Sequence, residues 1–162
     1  DRRLAEVSLE TGLEAHQVVA RRASPGAAGN VAANAHALGA QVTALGAIGD
    51  DGNGYDLVRV LDRMGIATAA LVRDEALVTP TYTKPLLREP DGRVHELNRL
   101  DIKNRRPLPA AIEAELVARL AALAPLADGI IVNDQVPEAD QGAITSRVRE
   151  ALIALEIGRA HV

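Results

Sequence analysis

The stretch that most constrains this chain is Pro25-Gly26-Ala27-Ala28-Gly29-Asn30, a run of small residues leading straight into a helical pattern. From Asn30 onward, Val31, Ala35 and Leu38 recur at i, i+4 and i+7, and Gly39 stands where a helix C-terminus wants a glycine. Glycines in such a loop let the backbone approach a neighbour closely, and the helix start offers free amides to oxygen atoms. Tight packing of a strand on a helix explains the spacing equally well. A dinucleotide site would want G-x-G-x-x-G here and an acid about 20 residues on. Gly26 and Gly29 give only part of that pattern, and Asp50 and Asp51 lie beyond Gly46 and Gly49.

Composition narrows the classes further. At 162 residues the length suits roughly one domain. The absence of Cys excludes a disulfide framework, a thiolate metal cluster and a cysteine nucleophile, and His16, His36, His95 and His161 are scattered. No metal ligand set is therefore assigned. Phe and Trp are missing and Tyr55 and Tyr82 are the sole aromatics, which leaves no stacking platform for bases or sugars. A net charge of −4 argues against nucleic acid. No apolar run approaches the roughly 18 residues of a membrane span, so a soluble, cytoplasmic protein without a membrane partner is expected. Lys84 and Lys103 are the only lysines, and neither stands between Gly and Ser or Thr, so there is no P-loop.

The pattern along the chain alternates. His16 to Arg22 reads as a short strand, Gln41 to Leu45 as a buried strand, and Leu57, Val58, Leu61 and Met64 as the apolar face of a helix capped by Asp50 or Asp51 and ended by Gly65. Thr81 to Arg88 and Arg93 to Leu100 form a hairpin around Glu89-Pro90-Asp91-Gly92, because Pro presets φ and Gly accepts a positive one. Pro107 and Pro109 open a helix running to about Leu123, with Ile112, Leu116, Leu120 and Leu123 on one face, and Pro125 stops it. Gly129 to Asn133 reads as a strand reaching Asp134, and Ala143 to Leu155 as a last helix. The expectation is an α/β frame with one β insertion and no internal domain boundary.

Three blocks occur in order: Gly26-Ala27-Ala28-Gly29-Asn30-Val31-Ala32, Leu38-Gly39-Ala40, and Gly46-Ala47-Ile48-Gly49-Asp50-Asp51-Gly52-Asn53-Gly54. Together they resemble the N-terminal signature of the PfkB, or ribokinase-like, carbohydrate kinases, with Pro25-Gly26 standing where that family usually has two small residues. Thr81-Tyr82-Thr83-Lys84 and Asn98-Arg99-Leu100-Asp101 look like the heptose-7-phosphate kinase branch. The resemblance spans essentially Asp1 to Glu156. It implies the N-terminal portion of a three-layer α/β/α Rossmann-like sheet with a small β lid, its strands at about 14–22 and 80–100. It further implies transfer of the γ-phosphoryl of ATP, with Mg²⁺, to a sugar or sugar-phosphate hydroxyl, and a homodimer formed through the lid.

By the same resemblance, Asp1 corresponds to the family's acidic sugar contact after the first strand, Gly26 to the glycine under the sugar, Asn30 to the sugar-binding Asn, and Asp134 to a second acidic contact. A carboxylate suits that role because it accepts from two hydroxyls at once. Lys84, on the lid, is a point charge suited to a substrate phosphate or else a solvated surface residue. Asp134 reads alternatively as a strand-end residue that caps the next helix. Arg99 and Asp101 are placed to pair with each other or to meet a ligand; Asp50 and Asp51 read as caps, and His36 as a structural residue.

The family's catalytic Asp lies in a Gly-Ala-Gly-Asp type segment at a helix N-terminus, whose amides stabilise the charge that develops on the transferred phosphoryl. No such segment occurs in this sequence. The expectation is a kinase portion that lacks its catalytic residue and most of its nucleotide site, is inactive alone, and exposes apolar strand faces such as Ile130 to Val132. Residues 157–162, Ile-Gly-Arg-Ala-His-Val, match one reading frame of a common sequencing adapter and are expected to be non-native. The alternative reading is a nucleotide-binding half-Rossmann module, of NAD type or regulatory, without kinase activity.

Overall fold

The structure is a computed structural model of the chain and describes residues 1–157; of the expected non-native tail, residues 158–162 lie outside them. In chain order the strands and helices are β1 (Glu6–Val7), β2 (Glu14–Ala15), α1 (Gly26–Ala37), β3 (Gly46–Gly49), α2 (Gly52–Arg63), β4 (Leu71–Asp74), β5 (Thr81–Thr83), β6 (Leu86–Arg88), β7 (Val94–Glu96), β8 (Leu100–Ile102), α3 (Ala110–Leu123) and α4 (Ser146–Ile157). They fall into two compact units. One comprises Asp1–Ala23 and Thr81–Ile102, the other Ser24–Pro80 and the chain from Lys103 on.

The larger unit is α/β. Strands β3 and β4 pair in parallel, Gly46 opposite Leu71 through Gly49 opposite Asp74, and α2 makes the crossover between them that a parallel pair requires. The helices α3 and α4 pack on each other, and α3 also meets both strands. Their shared core is Val72, Leu77, Ile112, Leu116 and Val148, with Ala47, Leu45, Ile144 and Leu152 against it. Alternation along β3 turns the buried Ile48 to the opposite face from the half-buried Ala47. Arg119 pins α3 to the start of β4: its guanidinium donates to the carbonyls of Ala69 and Leu71 at 3.2 and 3.0 Å.

The smaller unit consists of short antiparallel pairs. β1 pairs with β2, β5 with β8, and β6 with β7. Gly92, at φ +89, takes the positive φ that the 89–92 turn demands, and the amide of Glu89 donates to the carbonyl of Arg93. The hairpin read from the sequence is therefore present, but Pro85, which has no N–H to give to a ladder, stands at the break between β5 and β6.

Several sequence expectations need correction. The strand expected at 14–22 shrinks to Glu14–Ala15, because its partner β1 is preceded by a 3₁₀ turn at Arg2–Leu4 and offers only two residues to pair with. Val18 and Val19 are left exposed. The strand expected at 41–45 begins pairing with a single bridge, Thr43 to Ala67, and becomes regular only at Gly46–Gly49. Residues 129–133 form no strand; among the described residues nothing pairs with them, and Ile131 is 70% exposed. The strand β4 was not anticipated. Helix α1 starts at Gly26, four residues before the expected Asn30.

Candidate functional site

The first helix begins on a backbone that only glycine adopts at ease. Gly26 has φ +67 at the first helical position, while Pro25 before it supplies no side-chain cap. Gly29, one turn on, is buried, and a Cβ there would overlap the Pro25 ring. Asn30 follows on the same turn with its side chain on the exposed side. The small-residue run thus packs the helix start tightly against the Pro25 ring, and the Asn30 side chain stays open to solvent.

The second glycine block is a hydrogen-bonded joint. Asp51 caps α2, with one carboxylate oxygen accepting from the amide of Gly54 at 2.7 Å and the other from the amide of Thr79 at 2.8 Å. Thr79 is 4% exposed, and its hydroxyl accepts from the amide of Gly49 at 3.0 Å and donates to the Gly49 carbonyl at 3.4 Å. A Cβ on Gly49 would stand 2.6 Å from the Leu77 carbonyl oxygen, and one on Gly54 would stand 2.9 Å from the Thr79 hydroxyl. Burial pushes the Asp51 carboxyl up, but the amides of Thr79, Gly54 and Asn53 and the Thr79 hydroxyl outweigh it and hold the group below its ordinary value. The reading of Asp51 as a cap is borne out. Thr79 was missed; its only signal in the sequence is a Thr directly before Pro80.

In the same unit, Asp134 accepts from the amide of Val136 and pairs with Arg149 of α4. Asp140 sits at φ +59 and accepts from both the amide and the hydroxyl of Ser146, at 2.6 and 2.9 Å. Those two bonds, with the charge of Arg149 beside them, hold the Asp140 carboxyl below its ordinary value. The helix that the sequence placed after Asp134 is thus tied to the loop by Asp140 at its first residue and by Asp134 one turn in.

In the smaller unit, Asp1 accepts from the backbone and the guanidinium of Arg3, at 3.1, 3.0 and 2.7 Å. Lys84 faces Glu96 at 3.8 Å. Arg99 and Asp101 form a two-pronged pair at 2.6 and 2.7 Å, with the Arg99 guanidinium 4.6 Å from the centre of the Tyr82 ring. Their hydrogen bond and opposite charges hold Arg99 above its ordinary value. Of the sequence-derived site residues, then, Gly26 and Asn30 share one helical turn and Asp134 belongs to the same unit, while Asp1 and Lys84 belong to the other. No group of three His, Asp or Glu side chains fit to hold a metal ion occurs among the described residues. Among those residues, no helix is long and apolar enough to cross a membrane.

Residues 3–140 match the profile of the pfkB family carbohydrate kinases. The chain belongs to this family. It is 31% identical over 148 residues to the bifunctional protein HldE of Pelobacter propionicus, covering 91% of this chain and 28% of that protein. It is also 35% identical over 136 residues to HldE of Azorhizobium caulinodans, covering 83% and 26%, and 30% identical over 146 residues to HldE of Trichlorobacter lovleyi, covering 90% and 28%. The chain spans about a quarter of the length of these relatives. Among solved structures, a PfkB protein from Polaromonas sp. JS666 matches 68% of this chain and 36% of its own at 24% identity and a TM-score of 0.37. The joint at Asp51 and the turn at Gly26 both lie inside the pfkB match: one fixes the β3–α2 corner, the other starts α1. This is a carbohydrate-kinase-like domain in its N-terminal motifs, and the half-Rossmann alternative is not favoured.

Proposed function

We propose that this chain is the sugar-binding portion of an ATP-dependent kinase whose acceptor is a sugar phosphate of the heptose 7-phosphate type. The observation that carries the reading is the ordered set of glycine blocks from Gly26 to Gly54 inside the pfkB match at 3–140; the similarity to HldE proteins supports the branch. Gly26 lies under the sugar and Asn30 donates to or accepts from its hydroxyls. Asp1 and Asp134 accept from hydroxyls after giving up Arg3 and Arg149, a cost that substrate hydrogen bonds offset. Lys84 exchanges Glu96 for the substrate phosphate.

The domain proposed here runs over residues 1–156, with lid strands within 14–22 and 80–100, a homodimer formed through that lid, and residues 157–162 non-native. ATP is the phosphoryl donor and Mg²⁺ its companion ion. Their ligands are not assigned to this chain, whose acidic side chains form no suitable cluster among the described residues. Without a Gly-x-Gly-Asp segment the 162-residue chain supplies no general base, and it does not phosphorylate sugars by itself. The protein works in the cytoplasm.

The test uses a longer protein that contains this chain and a Gly-x-Gly-Asp segment. With ATP and Mg²⁺ it consumes ATP on heptose 7-phosphate, and Asn30→Ala raises KM at least tenfold with a smaller effect on kcat. Failure of the longer protein to phosphorylate any sugar or sugar phosphate overturns the reading. Turnover by the 162-residue chain alone overturns the assignment of the missing base.

A further inference from the structure

Val78 and Thr79 are the last residues but one before the chain passes from the larger unit into Thr81–Ile102, and Asn104 is the second residue after it returns. The Asn104 carboxamide accepts from the amide of Val78 at 3.0 Å and donates to the carbonyl of Val78 at 2.9 Å. One side chain thereby imitates both rungs of a strand pair, across a separation of 26 residues. The next residue, Thr79, is held from the other side by Asp51 and Gly49. Val78 itself is 39% exposed and lies outside any strand, so the bonds from Asn104 are not a by-product of sheet pairing.

We infer that Asn104 and Asp51 form a side-chain clasp that binds the outgoing and returning ends of the 81–102 segment into one anchored root. Two independent linkers would leave the ends of the 22-residue excursion Thr81–Ile102 free to separate, and closing them carries an entropic cost that rises with loop length. The clasp meets that cost inside the larger unit, with Asn104 as the positioning residue and Asp51 coupling the root to the β3–α2 corner. This gives the pfkB glycine block a reach beyond its own loop, since the same carboxylate that caps α2 also fixes Thr79.

Residue-resolved amide hydrogen exchange on the full chain tests this. In the wild type the Val78 amide is protected despite its exposure; exchange at the free-amide rate, with or without protection of α2, overturns the proposal. In Asn104→Ala, Val78 exchanges roughly tenfold faster or more, while Thr79 and the α2 amides change less than threefold. Unchanged Val78, or equal acceleration of Val78, Thr79 and α2, overturns it. Asn104→Asp keeps an acceptor for the Val78 N–H and restores most of its protection; exchange as fast as in Asn104→Ala overturns the role given to the carboxamide oxygen. If Asn104→Ala does not fold, the wild-type and Asn104→Asp measurements decide.

Discussion

The two units hold themselves together by different means. In the larger, a parallel strand pair and two helices enclose Val72, Ile112, Leu116 and Val148, and at the β3–α2 corner the buried Thr79 is bonded to Gly49 and to the half-buried Asp51. In the smaller, Leu87 is the single large side chain that is buried, and Leu86, Val94 and Leu100 are exposed. What joins its segments includes surface ion pairs: Arg2 with Glu89 and Lys84 with Glu96. Exposed pairs of this kind are worth about 0–1 kcal/mol each, whereas burying one Leu is worth about 1.5–3. The stability of the chain therefore resides mainly in the larger unit.

This contrast is open to direct attack. The largest effect is expected from Leu116→Ala, which empties the centre of the larger core and costs about 2–5 kcal/mol in urea unfolding; a loss below 1 kcal/mol would remove the claim that this core carries the fold. Gly49→Ala comes next, at about 1–3 kcal/mol, because its methyl runs into the fixed carbonyl of Leu77. Thermal melts of Gly49→Ala that match the wild type would show that the corner yields more readily than its bonding implies.

Acid should reach the same corner. The Asp51 carboxyl is held below its ordinary value in the folded chain, so the stability it contributes is present above the ordinary aspartate value and is lost as pH falls through the folded one. Unfolding midpoints followed from neutral pH into that acid range should fall more steeply for the wild type than for Asp51→Asn, which has lost the term already. Parallel curves would remove Asp51 from the account. The smallest effect is expected from Lys84→Ala in the smaller unit, within about 0.5 kcal/mol of the wild type. A larger loss would mean that this unit has a cohesion its surface contacts do not reveal.

Much of the larger unit was legible in the sequence. The apolar spacing of Leu57, Leu61 and Ile112, Leu116, Leu120 gave α2 and α3, and Gly39 and Gly65 marked helix ends close to where they fall. The cap at Asp51 and the turn at Glu89-Pro90-Asp91-Gly92 were readable because each rests on local chemistry. Strands fared worse. A helix closes its hydrogen bonds within its own segment, while a strand exists only where a partner is presented, so Glu14–Ala15 is short, Leu71–Asp74 was unforeseen and residues 129–133 form none. Among the candidate site residues, the types and positions of Gly26 and Asn30 were readable, but the engagement of Asp1 by Arg3, Lys84 by Glu96 and Asp134 by Arg149 was not.

The sequence by itself determined the family, the helices, the glycine corners and the absence of a Gly-x-Gly-Asp segment, because these depend on residue type and short spacing. Tertiary structure alone decided that Thr79 and Asn104 matter. Each lies 25 or more residues from its partner, and a hydrogen bond across that distance leaves no periodic trace in the chain that makes it.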